Sequence, residues 1–164
     1  PWMASAETVN ALDDQTAIVR VRQNGQDSLS VSFYRVDDLS GSIDGLQAGQ
    51  AGYAQAADAR AYQLASGGTI LNGPGYGNFT QGTLTDVDSG DLIAMKLVNS
   101  STGNTYWAFS SGNETVNGQS VGHLWSYGLN TWGWEDTQNG GDRDFNDLIV
   151  QYDFTSGYGN GLLA

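Results

Sequence analysis

From Ala17 to Val21, and again from Leu29 to Phe33, polar and apolar residues alternate, so that Ala17, Val19 and Val21 share one face and Leu29, Val31 and Phe33 another. A period of two marks a half-buried strand. Between these runs lies Gln23-Asn24-Gly25-Gln26-Asp27, whose Asn-Gly pair supplies the left-handed residues of a tight turn, so the two strands are expected to close into a β-hairpin. The period changes over residues 53–64. There Tyr53, Ala57, Ala61 and Leu64 form one stripe of an alanine-rich segment, which predicts a short helix. Residues 79–86, 91–99 and 104–109 read as further strands, the second with Ile93, Met95 and Leu97 facing inward. Residues 122–134 set Leu124, Trp125, Tyr127, Leu129, Trp132 and Trp134 among glycines, and a last strand over 146–154 places Leu148, Val150, Tyr152 and Phe154 on one face. The pattern predicts an all-β fold: an antiparallel β-sandwich of seven or more strands with one short helix. Residues 1–155 are expected to form a single domain, and the Gly-rich 156–164 a terminal linker.

Length and composition sharpen this picture. A chain of 164 residues can bury one genuine core, and 23 glycines against two prolines suit many short strands joined by tight turns. Of the 18 acidic residues, only Glu7, Glu114 and Glu135 are Glu. The short carboxylate of Asp is unfavourable in helix and strand interiors but serves well in turns and in oxygen-rich cation sites. An acidic surface that keeps the protein soluble, or a saline habitat, would also account for the bias as a whole. The net charge of −12, with six basic residues scattered from Arg20 to Arg143, argues against nucleic acid and against an anionic membrane. Cysteine is absent, which excludes disulfides and thiolate chemistry, and the single histidine, His123, leaves zinc without its usual ligands. No apolar run is long enough to span a bilayer and no signal peptide is visible. The chain starts Pro1-Trp2-Met3-Ala4 and reads as an excised piece of a longer protein.

The candidate chemistry lies in Trp132-Gly-Trp-Glu-Asp-Thr-Gln-Asn-Gly-Gly-Asp-Arg-Asp-Phe-Asn-Asp-Leu148. Calcium takes six to eight oxygen ligands, and glycines let a loop fold back around it. Asp142-x-Asp144-x-Asn146 spaces donors as the first half of an EF-hand loop does, but Asp147 stands where that loop needs glycine, and the residues after it alternate as a strand. Two like charges about 4 Å apart cost roughly 1 kcal/mol in water and several times more when partly desolvated, so such crowding calls for a cation. Glu135, Asp136, Asp142, Asp144 and Asp147 are expected to surround one or two Ca2+ ions, with Asn146 among them chiefly as a hydrogen-bonding brace. Trp125, Tyr127, Asn130 and Trp132 form the candidate ligand-binding surface beside that loop, although a sandwich core also wants aromatic rings, and Trp132 and Trp134 share a face. His123 reads as a structural hydrogen-bonding residue. No G-x-S-x-G elbow is present and the carboxylates crowd one loop instead of facing each other across a cleft, so no enzyme is expected and no catalytic residue is assigned.

The run Trp-Glu-Asp followed by Gly-Gly-Asp-Arg-Asp-Phe-Asn-Asp-Leu148 resembles the closing signature of a family of calcium-binding domains of unknown function in large secreted bacterial proteins. Phe33-Tyr-Arg-Val-Asp-Asp-Leu-Ser-Gly-Ser-Ile-Asp-Gly-Leu46, followed by Gly52-Tyr-Ala-Gln-Ala-Ala57, is similar to the segment that precedes it there. Such domains sit near the distal ends of giant repeats-in-toxin adhesins exported by a type I system, and some relatives bind the C-termini of host-surface proteins with calcium. The resemblance implies an extracellular, monomeric module of a long multidomain chain. It would mediate cell adhesion and biofilm attachment by binding a peptide or protein on a host or neighbouring cell. A calcium-dependent lectin that binds a glycan and a calcium-rigidified spacer are the alternatives.

Overall fold

The computed structural model describes residues 2–6 and 15–155. The glycine-rich stretch 156–164, expected to be a linker, lies outside the described residues. The strands are β1 (Ala4–Ser5), β2 (Gln15–Gln23), β3 (Leu29–Val36), β4 (Ile70–Asn72), β5 (Phe79–Val87), β6 (Leu92–Asn99), β7 (Asn104–Trp107), β8 (Thr115–Val116), β9 (Gln119–Ser120), β10 (Leu124–Gly128), β11 (Thr131–Trp134) and β12 (Leu148–Thr155), and the helix α1 is Tyr53–Ala59. They build two antiparallel five-stranded sheets. The first runs β1-β6-β3-β4 with β7 also on β6, the second runs β10-β11-β12-β2-β5, and β8 and β9 form a separate ribbon. The fold is mostly β and sandwich-like, with one short helix among the described residues.

The expected alternation sets the register. Ala17, Val19 and Val21 of β2 lie opposite Phe154, Tyr152 and Val150 of β12, and all six are buried. In the other sheet Val31 and Phe33 face Leu97 and Met95. The two inner faces meet where the rings of Phe33 and Tyr152 contact edge to face, with centroids 5.8 Å apart. The aromatic stretch 122–134 is the hairpin β10–β11, turned through Gly128, Leu129 and Asn130 with φ of 84°, 53° and 57°.

Two expectations are corrected. The runs on either side of Asn24-Gly25 do not pair with each other: β2 belongs to the second sheet and β3 to the first, so residues 24–28 arch from one layer of the sandwich to the other. The backbone N–H groups of Asn24 and Gly25 both donate to the carbonyl of Asp147, at 2.9 and 3.0 Å, instead of closing a turn. The buried Gln23 amide fixes the arch by donating to the carbonyls of Gly25 and Asp27 and accepting from Gly75 N–H. The helix also stops short of its stripe. It ends at Ala59, after which Ala61 bridges to Tyr34 and Leu64 to Leu84, because Tyr62 N–H donates to the carbonyl of Phe33 on β3, at 2.8 Å.

Candidate metal centre and the adjoining cleft

Because β11 and β12 are antiparallel neighbours, the residues that leave one and enter the other stand side by side. Glu135 and Asp136 leave β11, and Asp147 enters β12 with its N–H on the carbonyl of Trp134, at 3.0 Å. Asp136 N–H in turn donates to the Asp147 carboxylate, at 3.0 Å. The connection between them folds back over the sheet. Glycines 140 and 141, at φ 91° and 48°, reverse the chain, and Arg143 and Phe145 also adopt positive φ. Asp144 N–H then reaches Asp142 Oδ1 and Asn146 N–H reaches Asp144 Oδ1, at 3.3 and 3.4 Å.

This path gathers carboxylates into two adjoining clusters, one of Glu135, Asp142 and Asp144 and the other of Glu135, Asp136 and Asp147, each with its oxygens within 4.8 Å of one another. Glu135 belongs to both. It is also the most enclosed, at 1% exposure, and its Oε2 is buried with no hydrogen-bond donor among the described residues. A buried carboxylate oxygen without a donor is costly. Burial first, then the neighbouring Asp147 and Asp142, pushes the Glu135 carboxyl up to about 9. Asp136 is pushed up to about 7 by burial and by Asp147. Asp142 and Asp144 lie at the exposed outer side.

The surroundings leave little slack. A Cβ on Gly141 would fall 2.7 Å from Glu135 Oε1, and one on Gly25 would fall 3.0 Å from Asp136 Oδ2. Gly25 keeps an ordinary φ, so close approach is what requires glycine there. Three contributors escaped the sequence reading. The arch residue Asp27 and the buried Asn99 meet at 2.8 Å, and Asn99 Nδ2 also donates to the carbonyl of Asp136, at 3.1 Å. Asn24 Nδ2 donates to the carbonyl of Asn146, at 2.9 Å. The only signal for the arch was the Asn-Gly pair, which points equally to a hairpin. Asn146 enters this network through its backbone N–H and carbonyl.

His123 is buried beneath the centre. Its Nδ1 lies 2.8 Å from the carbonyl of Glu135, its Nε2 2.8 Å from Glu114 Oε2, and its ring stacks on Tyr106 with centroids 4.0 Å apart. Glu114 also accepts from Asn139 N–H at 2.6 Å, so this pair ties the start of the acidic connection to the body of the protein.

The four candidate ligand residues separate. Trp132 is buried at 3% and packs edge to face on Tyr152 at 5.4 Å, so it belongs to the core and not to a binding surface. The reason is alternation: the inward face of β11 carries both Trp132 and Trp134, while Gly133 between them faces out. Asn130 is exposed at the hairpin turn, where its carbonyl accepts from Tyr152 N–H. Trp125 and Tyr127 are about half exposed, at 52% and 51%, on the outer face of β10. The acidic strip crosses that face directly over Gly133, where any Cβ would collide with the carbonyl of Phe145. Tyr127 Oη donates to the carbonyls of Asp144 and Phe145, at 3.0 and 3.1 Å, and the Trp125 ring lies 5.9 Å from that of Phe145. Residues 142–145 therefore alternate, carboxylates toward the clusters and Arg143 and Phe145 toward a cleft with Trp125 and Tyr127.

Among the described residues no helix is long and apolar enough to cross a membrane. No curated protein and no solved structure matches the chain. Residues 77–155, just under half of the chain but including the whole acidic connection and the cleft aromatics, match a family described as a domain of unknown function (DUF4114).

Proposed function

We propose that this protein is an extracellular calcium-dependent ligand-binding module of a large bacterial adhesin, which attaches cells by gripping a peptide or protein on a neighbouring surface and performs no catalysis. The single observation that carries the reading is Glu135: a buried carboxylate shared by two acidic clusters, with one oxygen that no donor among the described residues satisfies. A cation meets that need. The donor set is made of oxygen alone, which fits a hard ion such as Ca2+ and not zinc. Glu135, Asp142 and Asp144 would hold one ion, and Glu135, Asp136 and Asp147 a second. Bound ions would neutralise the clusters and fix the strip that forms one wall of the cleft.

The half-exposed Trp125 and Tyr127 beside these clusters support binding as the task of this face. The closing signature, with its resemblance to calcium-binding domains of secreted adhesins, supports the setting. Peptide and glycan arrays probed with calcium and with chelator test the proposal, together with the thermal midpoint in both conditions. Peptide capture that vanishes on chelation, with a fall in midpoint, is the expected result; equal midpoints would overturn it. Exposed aromatic faces next to a cation cluster also suit sugar rings, and a lectin would declare itself by competition from free monosaccharides.

A further inference from the structure

An asparagine followed by glycine can react with its own backbone, and four such pairs lie among the described residues, at 24–25, 72–73, 117–118 and 139–140. In three of them a carbonyl holds the glycine N–H: that of Asp147 for Gly25 at 3.0 Å, of Leu29 for Gly73 at 2.7 Å and of Thr137 for Gly140 at 3.1 Å. Each bond fixes the peptide plane that joins the asparagine to its glycine. Two of the asparagines are tied as well, since Asn24 Nδ2 donates to the carbonyl of Asn146 and Asn139 N–H donates to Glu114 Oε2.

The pair Asn117-Gly118 is held by none of these means. It is the two-residue loop of the β8–β9 ribbon, in which Thr115 faces Ser120 and Val116 faces Gln119. Both loop residues are exposed, and their φ values of 52° and 79° are those of a type I′ turn. Among the described residues Gly118 N–H has no backbone acceptor. The ribbon is anchored only at its base, where Val121 N–H donates to the carbonyl of Glu114 and Asn113 Nδ2 donates to that of Val121. A type II′ turn closes the same two-residue loop and differs from type I′ by a flip of the central peptide plane. That flip takes ψ of the first residue from about +30° to about −120°, which swings the following nitrogen to the side of the side-chain carbonyl carbon. At Asn117 it breaks no backbone hydrogen bond; at the other three pairs it breaks one.

We propose that Asn117-Gly118 is a self-modifying site, at which the asparagine converts to an aspartyl or isoaspartyl residue without enzyme, metal or ligand. The Gly118 nitrogen gives up its proton to base and bonds to Cγ of Asn117. The Cγ–Nδ2 bond breaks and ammonia leaves, closing a succinimide ring. Water then adds to one of the two ring carbonyls. Opening on one side gives the aspartyl form, and opening on the other routes the backbone through the side chain and lengthens it by a methylene. The sum is one water consumed and one ammonia released, with no change of oxidation state. Either product sets a new carboxylate in the wall of the groove of about 550 Å3 that Asn117 and Gln119 share with Trp125, Arg143 and Phe145, so the groove beside the strip changes charge as the molecule ages.

The test is to incubate the folded protein and a urea-unfolded sample at alkaline pH, then to digest both and locate the gain of charge and any isoaspartyl bond by mass spectrometry. Folded protein should be modified first at position 117, at a rate within about tenfold of that in urea, while positions 24 and 72 slow by about a hundredfold or more because their glycines are released only by wider unfolding. Position 139 should also lag behind 117. Acidic pH should slow the reaction, since the glycine nitrogen must lose its proton. N117Q, which would need a larger ring, should keep its charge, with an unchanged thermal midpoint showing that the ribbon is intact. Position 117 left unmodified in folded protein that is modified elsewhere, equal rates at all four pairs, or a charge gained equally fast by N117Q in this region would each overturn the inference.

Discussion

On the proposed reading, calcium entering the two clusters would displace protons, and the number displaced follows from the burial of two side chains. A carboxyl held at about 9, as Glu135 is, remains almost fully protonated at pH 7, and one held at about 7, as Asp136 is, remains half protonated. A metal ion takes only the ionised forms. Loading at pH 7 should therefore release about one proton from Glu135 and about half of one from Asp136. Affinity should climb about fifty-fold between pH 6 and pH 7, and about seventeen-fold from pH 7 to pH 8, where nearly all of the rise comes from Glu135 because Asp136 is already half ionised at pH 7.

The calcium-free protein should show the opposite trend in stability. Both carboxyls sit above their unfolded values, so their protonated forms are accommodated fully below about pH 4, and stability is lost as the pH rises through about 7 and then about 9. Calcium should cancel that loss by neutralising the same charges. Isothermal titration calorimetry at pH 7 in two buffers of different ionisation enthalpy counts the released protons directly, and thermal melts from pH 5 to 9 with and without calcium check the stability arm. Calcium binding with no buffer-dependent heat and a flat pH profile would refute the reasoning, since it would place the ion somewhere other than on Glu135 and Asp136.

Gly133→Ala should abolish calcium binding and lower stability by about 1–3 kcal/mol, because its Cβ would collide with the carbonyl of Phe145 and lie 2.6 Å from the Tyr127 ring, lifting the strip off the sheet; calorimetry and denaturant unfolding read the two effects. The two tryptophans of the hairpin should separate cleanly: Trp132→Ala costs about 3–5 kcal/mol as a core truncation, whereas the half-exposed Trp125→Ala changes stability little and weakens ligand capture. Gln23→Ala leaves the carbonyls of Gly25 and Asp27 and the N–H of Gly75 without their partner. It should cost about 2–3 kcal/mol in urea unfolding and weaken calcium binding through the arch that holds Asp147.

Where a residue's environment follows from its own strand, the sequence was enough. Alternation placed Val19, Val21, Val150 and Tyr152 on the buried face because side-chain direction in a strand is set by parity alone. The same rule, applied strictly, puts Trp132 in the core with Trp134, since Gly133 between them can only face outward. The density of oxygen donors also made the acidic connection legible, because a run of Asp with two glycines can be read without knowing what lies around it.

The arch could not be read that way. Whether two successive strands pair or part to opposite layers depends on what competes for the turn's backbone donors. Here the competitor is the carbonyl of Asp147, more than a hundred residues away in sequence, which takes the N–H groups of both Asn24 and Gly25. Asp27 and Asn99 stayed hidden for the same reason: each reaches the centre only once the two sheets have stacked. Two segments thus meet at the centre, the connection 135–147, which carries the carboxylates of both clusters, and the arch 23–28, whose Asn24 and Gly25 donate to the carbonyl of Asp147. A cation bound between Glu135, Asp136 and Asp147 would act on the junction where the two meet. Its loss should then be felt at the sandwich end that includes Gly75 as well as in the cleft beside Trp125, even though neither residue supplies a metal ligand.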